Sequence, residues 1–295
     1  MNGKTISSFF LLFLLLGGFK SVSQRIKTDA RLKKEVEKLL PGFNGQVGVY
    51  IKNLRTNKIV SINADTIFPT ASMVKIPILI GIMDKISKGE LQYHQTLTYK
   101  DSLLYAGVDI LGSFKNNEKI ELSKVMMLML TMSDNTASLW LQSLAGGGKR
   151  INQILDSIGI KSTRVNSRTT GREANRTEYG WGQTTPYEMA TLFEKIYKGE
   201  IVNDPVSKRM LRLMGRDYWD EEAISQVPAG IFVAAKNGAV DESRSETLLV
   251  MAPKNPYVFS ICTKNNKDQS WTENNEAWVL TKKISKLLWE YYGSR

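Results

Sequence analysis

Hydrophobic and polar positions divide the chain into blocks of different periodicity. Apolar residues recur at helical spacing in segment 28–40, and two alternating runs, 46–53 and 58–62, then predict a β-hairpin. Mostly helical patterns follow, and strand-like runs return before a last amphipathic helix. The predicted helices of the long block are 76–86, 122–132, 136–144, 151–158 and 186–197, the later strands are 230–235, 246–251 and 257–263, and the last helix is about 275–292.

This order of elements predicts an α+β fold. The simplest arrangement is a five-stranded, largely antiparallel sheet flanked by the terminal helices, with an all-helical lobe inserted beside it. We therefore predict a discontinuous sheet-containing lobe, residues 24–66 plus 222–295, and a helical lobe, residues 67–221. A crevice between the two lobes is the natural place for a ligand.

The first 23 residues have the layout of a secretory signal peptide. Lys4 precedes an apolar run, 9–16, and small residues lead to Ser23, the predicted cleavage site. That run is much shorter than the roughly 20 residues of a spanning helix. We expect a mature protein that works outside the cytoplasm without a stable membrane span, an uncleaved anchor being the alternative.

Composition limits which disulfides, metal sites and catalytic mechanisms the chain can have. Cys262 is the only cysteine and His94 the only histidine, so neither an internal disulfide nor a pair of zinc ligands is available. A Ser-His-Asp mechanism would have to use His94, which lies in a polar segment with no partner acid beside it. We expect no metal and no cofactor.

The positive charge does not indicate a nucleic-acid partner. Removal of Lys4 and Lys20 with the signal peptide would lower the formal net charge from +11 to +9. The remaining basic residues are dispersed along the chain, without aromatic residues at regular intervals between them or a nucleic-acid-binding motif. Solvated helix faces explain them more simply.

The segment PTASMVKIP contains the one Ser-x-x-Lys of the chain, Ser72 and Lys75. At the start of a helix the two side chains face the same way, one turn apart. Free N–H groups there can hold an oxyanion and disfavour a charged lysine, so that a buried Lys75 can take the proton of Ser72. An ordinary polar helix residue is the alternative.

Two further segments carry candidate chemistry. Ser133-Asp134-Asn135 precedes a predicted helix, and helix capping explains it equally well. Lys236-Asn237-Gly238 follows a predicted strand, where a turn is the alternative.

In this order, the three segments resemble the Ser-x-x-Lys, Ser-Asp-Asn and Lys-Thr-Gly set of class A β-lactamases and penicillin-binding proteins. The resemblance covers nearly all of the mature length and extends to MSDNTAS, TTPYEMATLF and VAAKNGAVDESRSETLLVMAP. It implies a secreted or periplasmic bacterial serine hydrolase, expected to be a monomer. Its partner would be a small-molecule β-lactam or a cell-wall peptide.

The resemblance also implies the catalytic roles. Ser72 attacks the β-lactam carbonyl and becomes acylated, with Lys75 taking its proton directly or through water. Ser133 passes a proton to the departing nitrogen. The backbone N–H groups of Ser72 and Ala239 hold the oxyanion.

Four side chains would bind substrate on the same resemblance. Asn135 hydrogen-bonds the side-chain amide of the substrate, and Lys236 supplies positive charge to its carboxylate. Tyr105 resembles the aromatic wall of the cleft mouth, a buried structural tyrosine being the alternative. Arg244 is a candidate bidentate partner of the carboxylate, with a surface arginine as the alternative.

Two positions depart from the family pattern. Asn237 replaces the usual Thr or Ser hydroxyl, although its amide still donates a hydrogen bond. Class A enzymes carry a glutamate followed by a Leu-Asn pair on a loop before Thr-Thr-Pro, and that glutamate activates the deacylating water. This loop reads SRTTGREANRTEYGWGQTTP, is shorter and lacks the Leu-Asn pair, so that Glu173 is the best candidate, with an exposed loop carboxylate as the alternative.

The position of Glu173 separates the functional hypotheses. Within water-bridged reach of Ser72, it would make the protein a class A-type β-lactamase, which is the leading expectation. Outside that reach, slow release would make it a D,D-peptidase or a penicillin-binding esterase. A third interpretation is a non-catalytic sensor of β-lactams or peptidoglycan.

Overall fold

A computed structural model describes residues 27–293 of the chain, and the predicted signal peptide lies outside them. The strands are β1 (Lys27–Thr28), β2 (Gln46–Asn53), β3 (Lys58–Ile62), β4 (Phe68–Pro69), β5 (Thr96–Thr98), β6 (Lys119–Glu121), β7 (Arg164–Val165), β8 (Gly182–Thr184), β9 (Val233–Val240), β10 (Ser243–Val250) and β11 (Tyr257–Lys264). The helices are α1 (Ala30–Glu37), α2 (Lys75–Ser87), α3 (Leu122–Thr131), α4 (Asn135–Leu144), α5 (Gly147–Ser157), α6 (Glu173–Tyr179), α7 (Pro186–Tyr197), α8 (Asp204–Met214) and α9 (Glu276–Tyr292).

The large sheet has the strand order β1-β3-β2-β11-β10-β9. All neighbouring pairs are antiparallel except β1 with β3, which are parallel. The predicted α+β class is confirmed, with six strands in this sheet instead of five. The extra strand, β1, is only two residues long and therefore has no alternating pattern that the sequence could reveal.

The two faces of the sheet belong to different hydrophobic clusters because successive side chains of a strand point to opposite faces. Ile51, Leu248 and Phe259 pack with apolar residues of the terminal helices α1 and α9. Their neighbours Leu249 and Val258 join the other cluster, which also contains residues of α2, α3, α4, α7 and α8. The sheet is therefore a middle layer between the terminal helices and the intervening part of the chain.

Helix α2 is the central element of that intervening part. Its first nine residues, 75–83, are all buried, which is expected of a helix that is apolar on every side. Lys75 is the first of them, so the fold places an amine at the buried N-terminal end of this helix. None of the helices described between residues 27 and 293 is long and apolar enough to cross a membrane.

The predicted all-helical lobe also contains short strands. Five of the strands described, β4 to β8, lie between residues 68 and 184 and form two small sheets, β4-β8-β7 and β5-β6. Each is two or three residues long, too short for a period-two pattern. The lobe boundaries at residues 66/67 and 221/222 stay predictions.

Candidate active site

Ser72 lies in a short 3₁₀-helix, Ala71–Val74, immediately before α2. Thr70 precedes this turn and makes no side-chain capping hydrogen bond. Ala71 has φ of 42°, in the left-handed region that a residue with a side chain seldom adopts. Such a strained backbone persists only where surrounding contacts enforce it, and it fixes the direction in which Ser72 leaves the turn.

Lys75 is completely buried, and its amine contacts four oxygen atoms. Nζ lies 2.9 Å from Ser72 Oγ, 2.6 Å from the carbonyl oxygen of Ser133, 2.9 Å from Ser133 Oγ and 3.0 Å from Asn135 Oδ1. Burial, with the nearby positive charge of Lys236 as a second cause, holds the pKa of Lys75 well below its ordinary value of 10.5. The environment therefore favours a neutral amine next to the Ser72 hydroxyl.

The position of the segment Ser133-Asp134-Asn135 is fixed by hydrogen bonds to the side chain of its middle residue. Asp134 caps α4, accepting from Ala137 N at 2.7 Å through Oδ1. Its Oδ2 accepts from the backbone N–H groups of Ile110 and Leu111, at 2.5 and 3.0 Å. Helix capping and contact with Lys75 therefore occur in the same segment. Asp134 caps α4, and its neighbours Ser133 and Asn135 contact Lys75.

Strand β9 runs against the turn that carries Ser72, and Gly238 is the point of closest approach. A Cβ atom on Gly238 would lie 2.4 Å from Thr70 O and 2.7 Å from Ser72 N, closer than any side chain tolerates. Residues 236–238 lie inside β9 and not in a turn, so that alternative is excluded. The next residue, Ala239, lines the same cleft as Ser72, as expected if its N–H is an oxyanion donor.

Lys236 is completely buried and is held by two neighbours. Nζ donates to Asn237 Oδ1 at 2.9 Å and lies 3.7 Å from Asp217 Oδ2. Burial lowers the pKa of Lys236, which the negative charge of Asp217 opposes. Since the Asn237 oxygen faces Lys236, its amide group is left to donate to a ligand.

The cleft consists of two cavities that share Ser72, Asn135 and Ala239 in their walls. The first, of about 490 Å³, is lined on one side by Tyr105 and Trp181. The second, of about 620 Å³, also has Ser133, Asn237, Gly238, Arg244, Trp271 and Trp278 in its walls. Both volumes are in the range of small-molecule sites.

Tyr105 lies at the mouth of the first cavity and is 42% exposed, which excludes the alternative of a buried structural tyrosine. Its ring meets that of Trp181 edge to face, with centroids 5.0 Å apart. Its backbone N–H donates to Thr136 Oγ1 at 2.9 Å. The aromatic wall is therefore a pair of rings supported by α4.

Glu173 does not line either cavity. It is the first residue of α6, its side chain is exposed, and its Oε1 accepts from the nearby Gly171 N at 3.1 Å. The carboxylate of this loop that does line the first cavity belongs to Glu178, which is hydrogen-bonded to the Tyr179 side chain. The structure thus brings Ser72, Lys75, Ser133 and Asn135 into contact but leaves Glu173 outside the cleft.

Arg244 lines the second cavity, but its side chain is almost completely buried, so it is not a surface arginine. Three backbone carbonyls accept from its guanidinium: Asp241 and Ser243 from Nη1, at 3.1 and 3.2 Å, and Ser270 from Nη2, at 3.1 Å. Most of its donors are therefore used inside the protein, which weakens the expectation of a bidentate carboxylate partner.

Residues 31–292 match the model of the β-lactamase enzyme family. The chain belongs to the β-lactamase enzyme family. It is 26% identical to the β-lactamase VEB-1 of Pseudomonas aeruginosa over 96% of this chain and 97% of that protein. It is 25% identical to the β-lactamase SME-1 of Serratia marcescens, over 94% and 95% of the two chains.

Solved structures of other proteins share the fold of this chain, at sequence identities below those of the two β-lactamases above. PBP-A is 24% identical, with a TM-score of 0.80 over 91% of this chain and 98% of that one. The extended-spectrum β-lactamase TLA-1 is 20% identical, with a TM-score of 0.78 over 89% and 98%. These comparisons confirm the predicted superfamily and fold.

Sequence reasoning missed several residues of the cleft in this family member. Asp217, Trp181, Trp271 and Trp278 belong to no motif and come to the site from loops and from the start of α9. Only the general enrichment of tryptophan in binding sites could have drawn attention to three of them. Asp217 gave no signal, because only the folded chain places it beside Lys236.

A cluster of buried acids lies next to Lys236. Glu246 interacts electrostatically with Asp217 and with Glu222, and burial raises the pKa of all three carboxyl groups. For Glu246, on β10 directly opposite Asn237, burial raises the pKa to about 8. Glu246 accepts from Ala223 N at 3.0 Å through one oxygen, and the other has no hydrogen-bond partner. No group of three or more such side chains among residues 27–293 is placed to hold a metal ion.

We expect the Glu246→Gln variant to gain more stability over wild type at pH 8 than at pH 5. A folded-state pKa raised above the unfolded value means that the folded state binds the extra proton, so wild-type stability falls as pH rises from about 4.5 to 8. A neutral glutamine removes this loss, which is on the order of 3 kcal/mol between pH 5 and pH 8. Urea unfolding of both proteins at the two pH values measures it, and an equal difference at both would contradict the prediction.

Proposed function

We propose that the protein is a serine hydrolase that opens the β-lactam ring through an acyl-enzyme on Ser72. The observation that carries the proposal is the contact of one buried amine with two hydroxyls: Lys75 Nζ lies 2.9 Å from both Ser72 Oγ and Ser133 Oγ. A neutral amine in that position accepts the nucleophile's proton, and the second hydroxyl carries a proton onward.

The acylation step uses groups that the fold holds in place before substrate arrives. Ser72 Oγ attacks the lactam carbonyl carbon while its proton passes to Lys75, and the backbone N–H groups of Ser72 and Ala239 stabilise the oxyanion. The carbon–nitrogen bond then breaks, and Ser133 protonates the departing nitrogen, with Lys75 supplying the replacement proton. The net result is ring opening with the acyl group on Ser72.

Recognition of the substrate uses both ends of the cleft. Lys236 and the Asn237 amide would pair with the substrate carboxylate, although Asn237 is longer than the usual hydroxyl residue and so shifts the donor position. Asn135, whose Oδ1 already contacts Lys75, would bind the acyl-side amide. Tyr105 and Trp181 would enclose the acyl arm.

The position of Glu173 favours a second function, that of a D,D-peptidase or penicillin-binding esterase. With that carboxylate exposed and outside the cleft, activation of a deacylating water by Glu173 has no geometric support. The acyl group would then leave slowly, and β-lactams would act as inhibitors. One neighbour of the same fold, a single-residue variant of PBP-A, was solved as an acyl-enzyme complex with penicillin G.

We also propose that the protein acts outside the cytoplasm as a monomer. The signal-peptide pattern of residues 1–23 supports export. Cell-wall peptides and β-lactams are both found in that compartment, which agrees with either function.

Intact-mass spectrometry after addition of benzylpenicillin tests acylation. We expect wild type to gain the mass of one penicillin on Ser72, and Ser72→Ala to gain none, because only the hydroxyl can form the ester. Two measurements then separate the two functions. Turnover of a chromogenic cephalosporin indicates a β-lactamase, and a penicillin adduct that persists over time indicates a penicillin-binding peptidase. Absence of both an adduct and cephalosporin turnover in wild type would refute the proposal.

The acylation rate should rise with pH through the pKa of Lys75 and reach a plateau well below pH 10.5. Below that pKa the ammonium cannot accept a proton, and above it the neutral amine can, so the sign of the dependence is fixed. Stopped-flow acylation between pH 5 and 10 measures the profile. Lys75→Arg is the matched control, because arginine stays charged and should lower the rate at least about a hundredfold at every pH. A rate still rising at pH 10 would contradict this role.

Glu173→Ala should change the lifetime of the penicillin adduct by less than about twofold, because its carboxylate does not line the cleft. Glu178→Gln is the matched variant, since Glu178 lines the first cavity and any carboxylate assistance from this loop is expected there. Adduct decay followed by mass spectrometry measures both. A much longer-lived adduct in Glu173→Ala alone would restore Glu173 as the water-activating base.

A further inference from the structure

We propose that Trp271 and Trp278 form an aromatic subsite on the leaving-group side of the cleft, which binds a planar aromatic substituent of the substrate. The inference rests on the proposed function, since it assigns the two sides of the cleft from the roles of Ser133 and Lys236. Both indoles line the second cavity together with Ser72 and Ser133.

The two rings are held in a fixed arrangement. Their centroids are 6.0 Å apart, and the ring planes meet at 72°, an edge-to-face contact. The Trp271 indole N–H donates to Asp241 Oδ1 at 2.9 Å. An indole fixed at both its ring and its N–H offers a preformed surface, so that little conformational entropy is lost when a ligand stacks on it.

Arg244 supports the pair from within the protein. Its guanidinium carbon lies 4.3 Å from the Trp271 centroid and 5.0 Å from the Trp278 centroid, both within cation–π distance. Since three backbone carbonyls hold the same guanidinium in place, the cation is a fixed support for the indoles. Arg244 is thus a positioning residue of this subsite.

The exposure of Trp271 indicates a ligand. Trp271 is 60% exposed, although its indole contacts the Arg244 guanidinium, the Trp278 ring and the Asp241 carboxylate. A large apolar side chain that stays in water gains nothing for folding from its free face. That face is available to stack against a ring.

The strand register connects the subsite to the reaction centre. Arg244 pairs directly with Ala239, the expected oxyanion donor, across β9 and β10. Asn237, two residues earlier on β9, lies in the wall of the same cavity as the tryptophans. A group attached beyond the substrate carboxylate therefore extends toward the indoles, whereas the acyl arm extends into the first cavity, beside Tyr105 and Trp181.

Binding of two cephalosporins to a Ser72→Ala background tests the subsite without any acylation. Both compounds carry the same thienylacetyl acyl arm, and they differ at ring carbon 3, which bears a dinitrostyryl group in one and an acetoxymethyl group in the other. Dissociation constants are measured by isothermal titration calorimetry with Trp271, Trp271→Ala and Trp271→Phe.

We expect Trp271→Ala to weaken binding of the dinitrostyryl compound about tenfold and that of the acetoxymethyl compound less than about twofold, because only the first stacks on the indole. Trp271→Phe keeps an aromatic face and should stay within about threefold of the parent for both compounds. Thermal unfolding of each variant confirms that the fold is kept.

Equal losses for both compounds, no loss for either, or no measurable binding of the dinitrostyryl compound to the Ser72→Ala protein would overturn the proposal. Failure of the proposed function is a separate result, because it appears as absence of both a Ser72 adduct and cephalosporin turnover in wild type while the binding comparison stays interpretable.

Discussion

The amine of Lys75 is the group on which the arrangement of this cleft depends. It is surrounded by oxygens of the serine turn and of residues 133–135, and it is buried at the start of a helix whose first nine residues are all buried. Desolvation penalises the ammonium, and the positive Lys236 nearby adds to that penalty. The fold thus favours the neutral form of this amine by enclosing it between two packed segments, as the proposed role of a base requires.

Enclosure of that amine requires the sheet to approach the serine turn closely. Gly238 is the position where the backbone of β9 meets the backbone of residues 70–72, and the absence of a side chain there permits contact. The same approach brings Ala239 beside Ser72, and it buries Lys236 against Asp217. The proposed oxyanion donors, the proposed carboxylate-binding lysine and the amine with the lowered pKa are therefore brought together by one packing contact between strand and turn.

How much the sequence could predict depended on the length of the pattern. The five long strands and most helices carry enough residues to show their period, whereas β1 and β4 to β8 are two or three residues long and derive from tertiary pairing. Ser72, Lys75, Ser133 and Lys236 were identified through motifs. Asp217 and Trp271 were not, because their roles arise from contacts between distant segments and leave no local signature.

Glu173 is the converse case, a residue that the sequence selected and that the structure places outside the cleft. Its spacing from Thr184-Thr185-Pro186 made it the best candidate, but spacing does not specify which way a short helix turns its first residue. In the structure, Glu173 starts α6 and its carboxylate faces back to Gly171. The direction is decided by how the loop ends are fixed, which only the folded chain shows.

Those loop ends are separate from the groups of the proposed acylation step, so that the proposed acylation and release steps can vary independently in this fold. Arg172 donates to Asn166 Oδ1 at 3.0 Å and to Gln183 Oε1 at 2.6 Å, tying the two sides of the loop together beside the paired strands β7 and β8. The groups of the proposed acylation step lie on other elements, in the serine turn, before α4 and on β9. A change in the length of residues 167–181 can therefore move every loop carboxylate while Ser72, Lys75 and Ser133 keep their geometry. In the proposed mechanism, release of the acyl group then depends on the loop, and its formation depends on the buried amine.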